Sequence, residues 1–285
     1  MNKKIKSGLE IFFIILLVLF SFYYTDKVIG ILESKDPIMR QLKMVNSKKE
    51  RESVDAVITN NKIVPGYNGV KIDLEKSYLR MKSYGNYNES LMVFKEVKPI
   101  ISIDDYYDKY IASGNGLTSS VSLVFTLTDS NKTVLDFFSD FKIPSTFFVS
   151  IDFLDNNMDF VKTLANNGQE MELLPVSDVS LFNEGRRKLE SLTNLQSKYC
   201  YATYDDEAVL NLCSRQRMHT IIPTIRLNNN IYSNLKGNLR SGSIINITPS
   251  DNNLKEMIVV VNYIKQRGFK LVSLDTLLNE GVEEK

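Results

Sequence analysis

The chain has 285 residues, enough to bury a full core and to hold one large domain or two small ones. Its 35 basic and 34 acidic residues nearly cancel, so no global field points to nucleic acid, and 43% hydrophobic with 24% charged residues is the composition of a folded protein. One histidine (His219) and two cysteines (Cys200, Cys213), without a CxxC or Cys/His cluster, exclude a zinc finger and any mechanism that needs two histidines.

In chain order, Lys3, Lys4 and Lys6 precede an apolar run from Ile11 to Tyr24. At 14 residues the run is shorter than the roughly 20 that span a bilayer, but Gly8 and Leu9 before it and Val28 to Leu32 after it extend it. The pattern predicts a cytoplasmic tail over 1–8 and a transmembrane signal-anchor over 9–32, with the remainder extracytoplasmic. A cleaved signal peptide is the alternative, although no small-x-small cleavage pattern follows the run. Residues 33–60 are polar, with Ile38, Leu42 and Val45 at helical spacing, and predict a helical stalk. Pro65-Gly66 and Asn68-Gly69 punctuate short apolar runs, so 61–118 is expected to be a small β-rich accessory segment. Within it, Ser77 to Lys82 reads as a short helix and Ser90 to Phe94 as a strand.

From Val121 a regular alternation begins. Val121 to Leu127 is a strand by its alternating apolar and β-branched residues. Val134, Leu135, Phe138 and Phe141 carry helical spacing, Pro144 ends that helix, and Ser145 to Ile151 is the next strand. Further strands are expected at Met171 to Val176, Lys198 to Thr203, Thr220 to Ile225, Ser243 to Ile247 and Phe269 to Leu274, separated by amphipathic helices. About seven strands alternating with helices predict an α/β domain over 119–285, a distorted (β/α) barrel, with an open doubly wound sheet as the alternative.

Several motifs in this stretch resemble those of the polysaccharide deacetylase family, the NodB-homology domain. That family's first strand ends T-F-D-D-G-P, here Thr126-Leu127-Thr128-Asp129-Ser130-Asn131; its A-T-F-F-V is here Ser145 to Val149. Its A-x-x-G-H-E-I corresponds to Ala165 to Met171, its G-S-I-I-L-L-H to Gly242 to Thr248, and its K-x-x-G-Y-x-x-V-x-L to Lys265 to Leu274. The resemblance covers more than half the chain and implies a distorted (β/α) barrel.

The resemblance also implies a chemistry that these residues do not carry. Family members remove acetyl groups from glycans with a divalent metal held by one aspartate and two histidines, beside a base for the attacking water. The base aspartate corresponds to Thr128, and the metal aspartate to Asp129. The two ligand histidines fall on Leu174 and Asp178, the R-x-P-Y motif on Tyr201 to Tyr204 without its arginine, and the late acid histidine on Thr248. No catalytic residue is therefore assigned. Asp129 and Asp178 remain as a remnant metal pair, suited at best to weak Mg²⁺ or Ca²⁺ binding, and Thr128, Tyr204 and Thr248 as cleft residues. The plainer alternative makes Asp129 the N-cap of the following helix and Asp178 a loop residue, and His219 is expected to be structural or exposed. Cys200 and Cys213 form either a disulfide or two buried thiols.

The expected function is that of a membrane-anchored, extracytoplasmic, deacetylase-like pseudoenzyme, without a required cofactor. Its partners would be the membrane and peptidoglycan, another envelope glycan or an envelope protein, and no nucleic acid. The alternative is an active carbohydrate deacetylase with a rebuilt, carboxylate-based metal site.

Overall fold

The computed structural model describes residues 12, 14–21, 23 and 35–281. In chain order the elements are α1 (Pro37–Lys49), β1 (Val57–Thr59), β2 (Lys62–Val64), β3 (Gly69–Ile72), α2 (Leu74–Tyr84), β4 (Phe94–Val97), β5 (Tyr110–Ile111) and β6 (Ser120–Leu127). The alternation follows as α3 (Lys132–Ser139), β7 (Ser145–Val149), α4 (Ile151–Asn156), α5 (Met158–Asn166), β8 (Glu170–Leu173), α6 (Val179–Thr193) and β9 (Tyr199–Tyr201). It ends with α7 (Glu207–Arg215), β10 (His219–Ile221), β11 (Ile225–Leu227), α8 (Ile231–Leu235), β12 (Ile244–Ile247), α9 (Asp251–Gln266), β13 (Lys270–Val272) and α10 (Leu274–Leu278).

Two compact units emerge. One takes in the described residues up to Glu52 together with Gly69–Val97. Here Met39 and Leu42 of α1, one helical turn apart, pack on Ile72, Tyr78, Met81 and Met92. Helix α2 is capped at both ends: Asp73 accepts the Lys76 N–H, and Gly85, at φ 95°, donates its N–H to Met81 and Lys82. The expected stalk over 33–60 is therefore a different object, because the apolar edge of α1 is spent on this small core.

The other unit comprises Ser53–Asn68 and Lys98–Lys285. Six strands form a sheet in the order β11-β12-β6-β7-β8, with β13 pairing Ser120 to Ser122 of β6, and all of its pairings are parallel. Alternation along β6 sends Leu123, Phe125 and Leu127 toward the helices, where Phe125 meets Phe138, Phe141 and Phe147, and sends Val124 to the opposite face. A second sheet runs β1-β2-β5-β10-β9. The segment 61–118 is thus not a self-standing accessory: β2 and β5 pair in this sheet, and Ile63 and Ile111 lie in an apolar cluster with Val124, Phe148 and Ile221.

The strands do not close into one hydrogen-bonded barrel. Among the described residues no ladder joins β8 to β9 or β10 to β11. The single strand expected over Thr220 to Ile225 is two strands, parted at Pro223, which has no N–H to give to a ladder; the chain changes sheets there. Thr224 ties the resulting seam, its hydroxyl donating to the Ala112 carbonyl and accepting the Ile244 N–H.

Of the expected signal-anchor over 9–32, the described residues (12, 14–21 and 23) are helical, and the rest, with the tail at 1–8, lies outside the described residues. Among the described residues no helix is long and apolar enough to cross a membrane.

Candidate functional site

The residues singled out by sequence follow the C-terminal ends of strands, where α/β folds place their sites. Thr128 and Asp129 lie just past β6, and both are exposed. Asp129 does not cap α3; that role belongs to Asn131, whose side chain accepts the Thr133 N–H. Asp178, expected in a loop, is the N-cap of α6, and one oxygen of its carboxylate accepts the N–H of Ser180 at 2.8 Å and of Leu181 at 3.1 Å.

Leu174, which stands where a ligand histidine was sought, packs against the apolar cluster formed by Val124, Phe148, Tyr199, Tyr201, Ile221 and Ile244. Thr248 is exposed and donates its hydroxyl to Asn228 at 2.9 Å. The buried Asn253 of α9 braces this corner, donating to the carbonyls of Asn228 and Thr248. Tyr204 is 68% exposed, with the guanidinium carbon of Arg226 4.5 Å from its ring centroid.

An Asp–His–His metal centre does not fit these side chains. One ligand position is a leucine committed to packing, and the other is a carboxylate already accepting two backbone N–H groups. Among the described residues no group of three or more His, Cys, Asp or Glu side chains is arranged to hold a metal.

The remaining polar chemistry lies on β8 and around β9 and β10. Glu170 and Glu172 occupy alternate positions on β8, facing away from Met171 and Leu173. Glu170 accepts the Thr146 hydroxyl at 2.5 Å and the Asp275 N–H at 3.2 Å; burial pushes its carboxyl up to about 7. Burial raises Glu172 well above the usual range, with the neighbouring Glu170 charge adding to the effect. Asp275 in turn binds the Lys198 ammonium at 2.7 Å and the Tyr199 hydroxyl at 3.2 Å. The strand expected from Met171 begins instead at Glu170, and the alternation Glu-Met-Glu-Leu is the sequence signal that places both acids on one face.

His219 opens β10. It is buried, stacked 4.4 Å from the Tyr107 ring, with Nε2 3.5 Å from Asp104, and burial lowers its pKa. It is a packing histidine, as expected. Cys200 and Cys213 are joined as a disulfide, their Cα atoms 6.3 Å apart, which resolves the two alternatives left open by the sequence.

No family model matches the sequence. A relative from Bacillus subtilis (strain 168), named uncharacterized protein YlxY, is 22% identical over 276 residues, covering 88% of this chain and 86% of its own. Among solved structures, BA3943, described as a CE4 family pseudoenzyme from Bacillus anthracis, superposes with a TM-score of 0.65 at 21% identity, covering 87% of this chain and 96% of that one. A mutant of BA3943 described as having restored enzymatic activity matches equally, at 0.65 and 21%, over 86% and 99% of the two chains. The Bc1960 peptidoglycan N-acetylglucosamine deacetylase gives a TM-score of 0.54 at 17% identity, over 66% and 99%.

Proposed function

We propose that this chain, whose fold is that of the polysaccharide deacetylases, is a membrane-anchored pseudoenzyme that binds a cell-envelope glycan outside the cytoplasm without hydrolysing it. One observation carries the reading: Leu174 and Asp178, at the two positions where the family places its ligand histidines, are committed to core packing and to helix capping. With Thr128 in the base position and Thr248 in the late acid position, no side chain there takes a proton from water near neutral pH. The likeness to BA3943, itself described as a pseudoenzyme, supports a scaffold kept without its reaction. The peptidoglycan deacetylase of the same fold supports an envelope glycan as ligand, with an envelope protein as the alternative partner.

Anchoring is supported by the basic and apolar N-terminal segment, whose described side chains, Leu17 and Phe20 among them, are exposed. The Cys200–Cys213 disulfide supports an oxidising, extracytoplasmic setting.

The test uses the full chain in detergent, assayed for bound metal, for acetate release from N-acetylated glycan fragments, and for retention on purified peptidoglycan. Retention without acetate release is the expected result. Stoichiometric metal that is lost in Asp129→Ala, together with deacetylation, would overturn it in favour of an active deacetylase with a carboxylate site at Asp129 and Asp178.

A further inference from the structure

Arg226 lies on β11, an edge strand of the six-stranded sheet. Its side chain lines a cavity of about 520 Å³ together with Thr224, Ile225, Asn234, Asn238 and Arg240. This cavity adjoins the seam that Thr224 ties. Two of the residues that line it are arginines and none is acidic. Neither arginine takes part in an ion pair among the described residues.

Two further observations point to a ligand. The two terminal NH2 groups of Arg226 make no hydrogen bond among the described residues and are not buried, whereas its Nε–H is buried without an acceptor and out of a ligand's reach. The guanidinium is also held over the ring of Tyr204, a residue that is itself largely exposed. Arginine presents a planar fork of donors matched to carboxylate or phosphate oxygens, and a tyrosine face stacks on a sugar ring. Asn234 and Asn238 give their amide N–H groups to the carbonyls of Asn229 and Asn234, which leaves their amide oxygens to accept hydrogen bonds from sugar hydroxyls.

We propose that this cavity is a subsite for an anionic saccharide, in which Arg226 and Arg240 bind a carboxylate or phosphate substituent and Tyr204 stacks on the sugar that bears it. The inference rests on the envelope-glycan reading above and adds the charge of the ligand and the residues that read it.

The experiment measures binding of the full chain in detergent to three probes: tetragalacturonate, which carries carboxylates, poly(glycerol phosphate), which carries phosphodiesters, and neutral chitotetraose. At least one anionic probe should bind, more weakly as ionic strength rises. Arg226→Gln and Arg240→Gln should each weaken that binding by about tenfold or more, as expected for loss of a charge-assisted contact. The identity of the bound probe decides between carboxylate and phosphate. Arg240 is exposed, so its variant keeps the test valid if Arg226→Gln fails to fold. Failure of both anionic probes to bind, or binding unchanged in Arg240→Gln and in a folded Arg226→Gln, overturns the inference. Chitotetraose bound equally by wild type and variants would then leave the glycan-binding reading standing, whereas no binding of any probe would remove both.

Discussion

The side chain of Glu172 accepts the main-chain N–H of Lys198 through both of its oxygens, at 3.0 and 3.2 Å. Among the described residues no backbone ladder joins β8 to β9, so this contact does between the two sheets what a strand pair would do within one. Glu172→Ala leaves that N–H without its acceptor beside a small void and should destabilise the protein by about 2 to 3 kcal/mol in urea unfolding. Glu172→Gln, which keeps an acceptor oxygen, should cost less than half as much. Equal effects of the two substitutions would count against the bridging role.

Glu170 gives a pH dependence of definite sign. Its folded pKa, about 7, lies above the ordinary 4.5, so the folded state holds a proton that the unfolded state has released between those values. Stability from this residue is therefore full below about pH 4.5, falls as pH rises toward 7, and stays lost above it. The loss is on the order of 3 kcal/mol. Glu170→Gln should be the more stable protein at pH 8, and the difference between the two unfolding curves should shrink toward pH 4. Taking the difference cancels His219, whose lowered pKa acts in the opposite direction as pH falls below 6.5. A difference that is flat with pH would show that Glu170 titrates normally.

The Cys200–Cys213 disulfide closes a short loop, with a sequence separation of 13, between β9 and α7. In the chain-entropy treatment a loop of this size contributes about 3 kcal/mol. Reduction, or replacement of both residues by serine, should lower the urea midpoint accordingly while leaving the slope close to that of the oxidised protein.

Restoring the family's base and its two ligand histidines tests the account of the lost site directly. Thr128→Asp, Leu174→His and Asp178→His in one chain should confer binding of one zinc equivalent that the wild type does not retain through desalting. The same chain should be less stable without metal. Loss of the Asp178 cap costs about 1 kcal/mol, and Leu174 gives up its apolar contacts. Zinc should therefore raise its Tm and leave the wild type unmoved. A triple variant that retains no more zinc than the wild type would show that the loops after β6 and β8 no longer converge.

The alternation from β6 onward was legible because each element is long enough to show its own period. Val121 to Leu127 falls within one residue of the observed β6. The strands β2 and β5 have no individual signal in the sequence because they span three and two residues, and β5 pairs with β10, more than 100 positions away. Caps were the weakest point. Asp129 and Asn131 are both suitable capping residues before α3, and only the backbone decides between them. The cleft residues Thr128, Tyr204 and Thr248 rest on motif correspondence, and they follow β6, β9 and β12. Arg226 was invisible, since its partner Tyr204 lies 22 positions earlier and no local pattern links them.

Gly66 and Glu280 are 214 positions apart, yet the Gly66 N–H donates to the Glu280 carboxylate at 2.6 Å, and the Ser102 hydroxyl and Ile103 N–H reach the same group. The fit is close enough that a Cβ on Gly66 would lie 2.2 Å from the Val54 carbonyl. A chain that emerges from the ribosome or a translocon N-terminus first thus presents β2 long before the residue that locks it in place. Until then the segment from Ser53 to Asn68 is available to chaperones, proteases and other chains, and its final docking belongs to the slow, non-local end of folding.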